Sequence, residues 1–179
     1  MIIALIGPHG AGKTTIGQAL AELLRLPYYP ELGRELAEDP RWRSQAQTAA
    51  DPARAFDREL FARELERDLA LGGTPRVVET WHPGNLAYAA LRSPEEALAW
   101  LPSLTRAVRR WPTVIVPLGA SREVLARRQS EPGSLEFFEQ VGQGALRWAE
   151  QLGLPCHPAI DTSTALPERL ARGICGRLC

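Results

Sequence analysis

The sequence predicts an α/β fold in which a parallel sheet lies between two layers of helices. Three observations carry this reading. Short apolar runs alternate with stretches of helical period along the whole chain. The first run, Ile2 to Ile6, lacks polar residues at alternate positions, as a strand buried on both faces would. That run passes directly into GPHGAGKT, Gly7 to Thr14, a glycine-rich turn that opens a helix.

The elements follow in order. From Lys13 to about Arg25, Ile16, Leu20, Leu23 and Leu24 share one side of a helix that Pro27 stops. YYPE, Tyr28 to Glu31, reads as a second short strand running into a polar segment. Residues 39–52, DPRWRSQAQTAADP, form the least regular part, a loop or mobile helix placed as a lid on the acceptor side. Asp51-Pro52 reads as a cap and first-turn proline. The helix that follows runs to about Leu71, with Phe56, Leu60, Phe61, Leu65 and Leu69 as its stripe, and Gly72-Gly73 ends it. RVVET, Arg76 to Thr80, is a third strand. HPGNLAYAAL resumes a helix, and Ser93-Pro94-Glu95-Glu96 caps the next with an acidic first turn. TVIVPL, Thr113 to Leu118, is a β-branched strand, and Ser121 to Gln129 a helix. After the break at SEPGS come a helix over Leu135 to Leu152, a weak strand at CHPAID and a final helix over residues 166–178.

Length and charge bound the function. A chain of 179 residues suits one domain, here with the small segment at 39–52. It buries on the order of 70% of its unfolded surface and folds without disulfide or metal. The formal net charge is zero, which argues against a broad basic face for duplex nucleic acid, while single arginines remain available for small anions. Cys156, Cys175 and Cys179 are odd in number and form no CxxC pair. MIIALIG is too short for a membrane span and has no basic leader before it, so the expectation is a cytoplasmic protein with no membrane partner.

Gly7, Gly12, Lys13 and Thr14 fill the pattern GxxxxGK[ST] after a strand and at a helix start. The glycines, with Gly10, let backbone N–H groups turn inward around a phosphate, and the helix start adds unpaired N–H groups. Thr14 is placed to coordinate Mg²⁺. Of the 21 basic residues Lys13 is the only lysine. A compact ammonium on a thin stem suits the slot between β- and γ-phosphates, where a planar guanidinium is bulkier and seeks a two-pronged edge. A chain with one lysine cannot hold the NKxD motif of a GTPase, and LSGGQ is absent. A motor or AAA-type ATPase would carry an apolar strand ending in Asp-Glu, whereas VVET offers one carboxylate.

These residues resemble the P-loop nucleoside and nucleotide kinase group, especially thymidylate kinases, deoxynucleoside kinases and nicotinamide-riboside-type kinases. The resemblance rests on GPHGAGKTTIGQALAELL as their opening and YYPELGREL as their second strand. VVETWHPGNLAYA stands where they carry a Glu/Asp-Arg pair, SREVLARRQ and LEFFEQV at their lid, and AIDTS beside adenine. It implies a P-loop three-layer sandwich with a five-stranded parallel sheet in the order 2-3-1-4-5, a small lid at about 127–135, and an acceptor pocket at the carboxyl ends of strands 2 and 3. It also implies transfer of the γ-phosphoryl of Mg-bound ATP to a hydroxyl or phosphate of a nucleoside, nucleotide or similar small molecule, with ATP and Mg²⁺ as cofactors. Because the transition state is loose, such sites work by alignment and charge neutralisation.

Roles follow residue by residue. Gly7, Gly10, Ala11, Gly12, Lys13, Thr14 and Thr15 hold the nucleotide phosphates, and Asp161 lies beside adenine. Thr14 and Glu79 are the metal-side residues. Glu31 accepts or orients the proton of the acceptor hydroxyl, and Glu79 either positions Mg²⁺ or is itself the base. Arg127 and Arg128 match the lid arginines. Arg34, Arg63, Trp81 and His82 are acceptor-side candidates, with Trp42 and Tyr88 beside them, although helical spacing suits these aromatics to a core as well. Thr80 departs from the arginine usual after the carboxylate, and QSEPGS carries no further arginine. Two other readings stay open: a kinase of an antibiotic, metabolite or modified DNA base, and an ATP-binding switch or slow ATPase acting on a protein partner. A homodimer is compatible with either.

Overall fold

The computed structural model describes residues 1–46, 51–128 and 134–178. Five strands, β1 (Ile2–Ile6), β2 (Tyr28–Tyr29), β3 (Arg76–Glu79), β4 (Thr113–Gly119) and β5 (Ile160–Asp161), form one sheet in the order β2-β3-β1-β4-β5. Every pairing is parallel, with Leu5 opposite Glu79 and Val116, and Tyr28 opposite Val77. Among the described residues nine helices surround it: α1 (Lys13–Leu24), α2 (Leu32–Glu38), α3 (Pro40–Ala46), α4 (Pro52–Leu71), α5 (Trp81–Arg92), α6 (Pro94–Val108), α7 (Arg122–Arg128), α8 (Leu135–Gln151) and α9 (Pro167–Leu178). None is long and apolar enough to cross a membrane.

The alternation of side chains along a strand divides the core into two layers. Ile2, Ala4, Ile6 and Val78 face α5, α6 and α8, where Leu86, Leu104, Val141 and Ala145 cover them. Ile3, Leu5, Val77, Val116 and Leu118 face α1, α7 and α9, covered by Ile16, Leu20, Leu125 and Ile174. Each strand residue of β1 is buried, as its unbroken apolar run requires. Leu36, Trp42 and Leu60 make a third, smaller core that ties α2 and α3 to α4.

Several elements differ from the sequence reading. The second strand ends at Tyr29, and the polar segment after it is the helix α2, whose first position is reached from Glu31 without a side-chain cap. Only two large apolar residues, Leu32 and Leu36, mark that helix. Residues 40–46 are helical; residues 47–50, and residues 129–133 of the segment expected to form a lid, lie outside the described residues. The last strand shrinks to Ile160–Asp161, with a separate bridge from Cys156 to Ile115.

Helix α4 starts as expected: Asp51 accepts a hydrogen bond from Arg54 N at 3.2 Å. Of its apolar stripe Leu60 is buried and Phe56, Phe61 and Leu65 are partly buried against the cores, but Leu69 is exposed, and the acids Asp57, Glu64 and Asp68 are buried beside them. Each acid meets an arginine, Arg92, Arg67 and Arg76 respectively, which offsets the cost of burying charge.

Candidate active site

The loop between β1 and α1 turns three times through backbone space that side chains avoid, at Gly7 (φ 145°), Gly10 (φ 81°) and Gly12 (φ 83°). At Gly7 space forbids a side chain as well, because a Cβ there would sit 2.1 Å from the Leu118 carbonyl oxygen. Lys13 Nζ folds back over this loop and donates to the carbonyls of Gly7 (3.0 Å) and Pro8 (3.1 Å). Ala11 is fully buried under the loop, and Thr15 lines a cavity on its α9 side.

Glu79, 2% exposed at the end of β3, is held by two hydroxyls. Thr14 Oγ1 lies 3.0 Å from each carboxylate oxygen and donates to the group; the Tyr28 hydroxyl donates to Oε2 at 2.5 Å. Burial, and the adjacent carboxylate, push the Tyr28 phenol well above its usual range. The next residues carry strain: Thr80 (φ 65°) and Trp81 (φ 50°) both adopt left-handed backbone, costing about 1–3 kcal/mol each. Thr80 Oγ1 is buried with no hydrogen-bond partner among the described residues.

On the α2 side opens a cavity of about 370 Å³. Glu31 and Arg34 line it together with Tyr88, Phe137 and Phe138, and Asp57 and Arg92 form an ion pair in its wall. Burial lifts the Asp57 carboxyl to about 6 against the opposing pull of Arg92. The cavity and the phosphate loop are neighbours, for the rings of His9 and Phe138 lie 5.1 Å apart between centroids. On the other side of the loop a cavity of about 230 Å³ is lined by Gly12, Thr15, Ile16, Arg128, Thr162, Ala165, Pro167 and Leu170. Arg128 spans it, donating to the Gly10 carbonyl (3.4 Å), Thr162 Oγ1 (3.1 Å) and the Thr162 carbonyl (2.9 Å).

The structure therefore brings together Gly7, Gly10, Gly12, Lys13, Thr14, Glu79 and Arg128, with Glu31, Arg34 and Tyr88 on the adjoining wall. Other candidates lie elsewhere. Trp81 and His82 turn into the core, where Trp81 Nε1 (3.0 Å) and His82 Nε2 (2.9 Å) both meet Asp68 Oδ2. Their strand-end position suggested a pocket, but Asp68 and Arg76 supply a buried polar anchor that claims them. Arg63 is bound to Glu59 (2.7 Å) and Asp39 (3.1 Å), joining α4 to the end of α2. Trp42 packs edge-on against Phe56 in the small core. Arg127 is exposed on α7. Asp161 is exposed and accepts from Ser163 N (2.8 Å) and Oγ (2.5 Å), so Thr162, one residue on, faces the cavity in its place.

Tyr28, Thr162 and Phe138 were missed by sequence reasoning, and each for a reason. Tyr28 and Phe138 look like core aromatics, and Thr162 in DTS like a turn residue. One signal was available: Gly17 stands mid-helix where Ala is favoured, and a Cβ there would lie 2.7 Å from the Tyr28 ring.

A glycine-rich anion cradle at the carboxyl end of a 2-3-1-4-5 parallel sheet defines the class: a P-loop phosphate-binding domain. Comparison with known proteins narrows it. A family model described as an AAA domain matches residues 2–164. A probable thymidylate kinase of Archaeoglobus fulgidus is 26% identical over 149 residues, covering 79% of this chain and 75% of the relative. A shikimate kinase of Salinispora arenicola is 35% identical over 130 residues, covering 70% and 71%. A second shikimate kinase, from Psychrobacter arcticus, is 44% identical over 66 residues, which are 37% of this chain and span only 31% of that relative's length. Among solved structures, deoxyadenosine kinase from M. mycoides with the products dCMP and dCDP bound superposes with a TM-score of 0.67 at 15% identity, over 99% of this chain and 98% of that one. The chain belongs to the AAA domain family of that model and, with these kinases, to the P-loop nucleotide kinase group. The membership qualifies the reading that set AAA-type ATPases aside: the family carries that label, and the relatives that align along most of the chain are kinases.

Proposed function

We propose that this protein transfers the γ-phosphoryl group of ATP to a hydroxyl of a nucleoside or nucleotide held in the 370 Å³ cavity. The observation that carries the reading is the adjacency of two sites, the phosphate cradle around Lys13 and an aromatic-walled cavity with a carboxylate at its edge, joined through His9 and Phe138. Flat rings such as Phe137, Phe138 and Tyr88 suit the face of a base, and Glu31 stands near for the reacting hydroxyl. The deoxyadenosine kinase of like fold, with dCMP and dCDP as products, supports a nucleoside acceptor.

The residues fit a nucleotide and a hard cation. Loop amides and Lys13 meet phosphate oxygens, while Thr14 and Glu79 offer oxygen ligands of the kind Mg²⁺ takes. Bound there, Mg²⁺ would neutralise charge on the β- and γ-oxygens. Thr14 donates its proton to Glu79 and so keeps its lone pairs for the cation. Lys13 exchanges the two loop carbonyls for phosphate oxygens. Glu79, held by the hydroxyls of Thr14 and Tyr28, serves the metal side of the site. Glu31, on the cavity wall, orients the acceptor hydroxyl and takes its proton, with Arg34 on the same wall. Arg128, already against Gly10, closes the nucleotide side.

The shikimate kinase relatives favour a second reading, a small polyhydroxy acid gripped by Arg34 and Arg92. The test is ADP release with a panel of nucleosides, nucleotides and shikimate, in wild type and Glu31→Gln. The proposal expects stimulation by nucleosides or nucleotides and a loss of at least about 100-fold in Glu31→Gln. Stimulation by shikimate alone selects the second reading. One slow rate whatever is added contradicts both.

A further inference from the structure

Tyr28 stands outside the roles assigned above, yet it makes the shortest contact to Glu79. Its position is set by register. Tyr28 pairs with Val77, so it projects on the same face of the sheet as Val77 and, two residues on, Glu79. Thr14 reaches Glu79 from α1 on that same face. Tyr29, one residue later, packs in the opposite core layer. The ring lies close against Gly17, where a Cβ would come within 2.7 Å of Tyr28 Cε2 and 2.8 Å of Leu5 Cδ1. Among the described residues the hydroxyl meets one carboxylate, at Glu79 Oε2, and also lies beside the Thr14 hydroxyl, with the charge of Arg34 nearby.

We infer that Tyr28 is a positioning residue for the metal side of the site: its hydroxyl fixes the Glu79 carboxylate in the orientation that faces Thr14. A carboxylate at a strand end has two free side-chain torsions beyond χ1 and would otherwise sample several orientations. Held at one oxygen by Tyr28, it offers Thr14 a fixed acceptor, and the Thr14 hydroxyl is thereby turned with its lone pairs outward from β3. Groups that orient ligands in this way typically change metal affinity or activity about 10–100-fold. The inference rests on the assignment of Thr14 and Glu79 to the cation, and the experiment separates the two.

The probe is the fluorescent methylanthraniloyl ester of ADP, titrated into the protein in EDTA and then across a Mg²⁺ series, for wild type, Tyr28→Phe and Glu79→Gln. Phe keeps the ring on Gly17, so thermal unfolding of Tyr28→Phe should stay close to wild type. The expected result is unchanged affinity in EDTA, and a Mg²⁺ midpoint raised about tenfold or more in Tyr28→Phe. Glu79→Gln should raise it at least as far, and in the double variant the Tyr28 effect should vanish because its target is gone. If Glu79→Gln shifts the midpoint and Tyr28→Phe does not, Tyr28 has no positioning role and the metal assignment stands. If neither variant shifts it, the metal assignment of Glu79 falls, and the Tyr28 inference with it. An equal loss of affinity in EDTA and in Mg²⁺ for Tyr28→Phe overturns the inference by showing a merely structural effect.

Discussion

Lys13 Nζ, 3.0 Å from the Gly7 carbonyl, occupies a space that a guanidinium could not fold into without displacing the loop. That explains why a chain with 20 arginines keeps one lysine at this position. Asp57 is a second residue whose environment has a measurable consequence. Burial raises its carboxyl to about 6, above the ordinary range near 3.8, with Arg92 opposing the shift. The folded state therefore holds the proton more tightly than the unfolded chain. The stability this proton contributes is present in full below pH 4 and is lost as pH rises through 6, by at most on the order of 2–3 kcal/mol. Asp57→Asn should remove that slope. Urea unfolding between pH 4 and 7 is the measurement: wild type should lose stability relative to the variant as pH rises, and parallel curves would contradict the assignment. Of these residues the loop lysine and Thr14 were legible in a contiguous motif. Asp57 and Tyr28 were not, since their partners lie 35 and 51 positions away and only the fold brings them together.

At the scale of elements, the phosphate loop is braced by α8. Gly142 touches Pro8 so closely that a Cβ would lie 2.7 Å from Pro8 Cδ and 2.8 Å from its backbone nitrogen. Gly144 gives α8 a similar approach to α5, a Cβ there standing 3.0 Å from that of Ala87. Gly142→Ala should push the loop at Pro8, weaken ADP binding about tenfold or more, and cost about 1–3 kcal/mol of stability from overpacking. Calorimetric titration with ADP and thermal unfolding check this; unchanged affinity would show that α8 does not brace the loop. Periodicity revealed β1, β4 and most helices because their apolar spacing is long and regular. It failed for α2, where Leu32 and Leu36 are the only large apolar residues, and for the acids on the inner face of α4. There Asp57, Glu64 and Asp68 sit inward on arginines from other elements, a pairing that no local pattern discloses.

For the whole molecule, the sheet order puts β1 at the centre and the loop after it between two cavities, one lined by α2, α4, α5 and α8, the other bordered by α7 and α9. The alternation of strands and helices shows that the sheet is parallel; the order itself came through resemblance to P-loop kinases and agrees with the structure. What the sequence left open was which polar residues face the cavities, because Trp81, His82 and Arg63 satisfy their hydrogen bonds elsewhere. Every role assigned above depends on the central loop holding the triphosphate of ATP through Lys13. Equilibrium titration of the protein with ATP and Mg²⁺ tests that most directly. The account predicts a saturable one-to-one complex that Lys13→Ala weakens at least about 100-fold, about 2.7 kcal/mol. No complex in the wild type at millimolar ATP, or equal affinity in the variant, would contradict it.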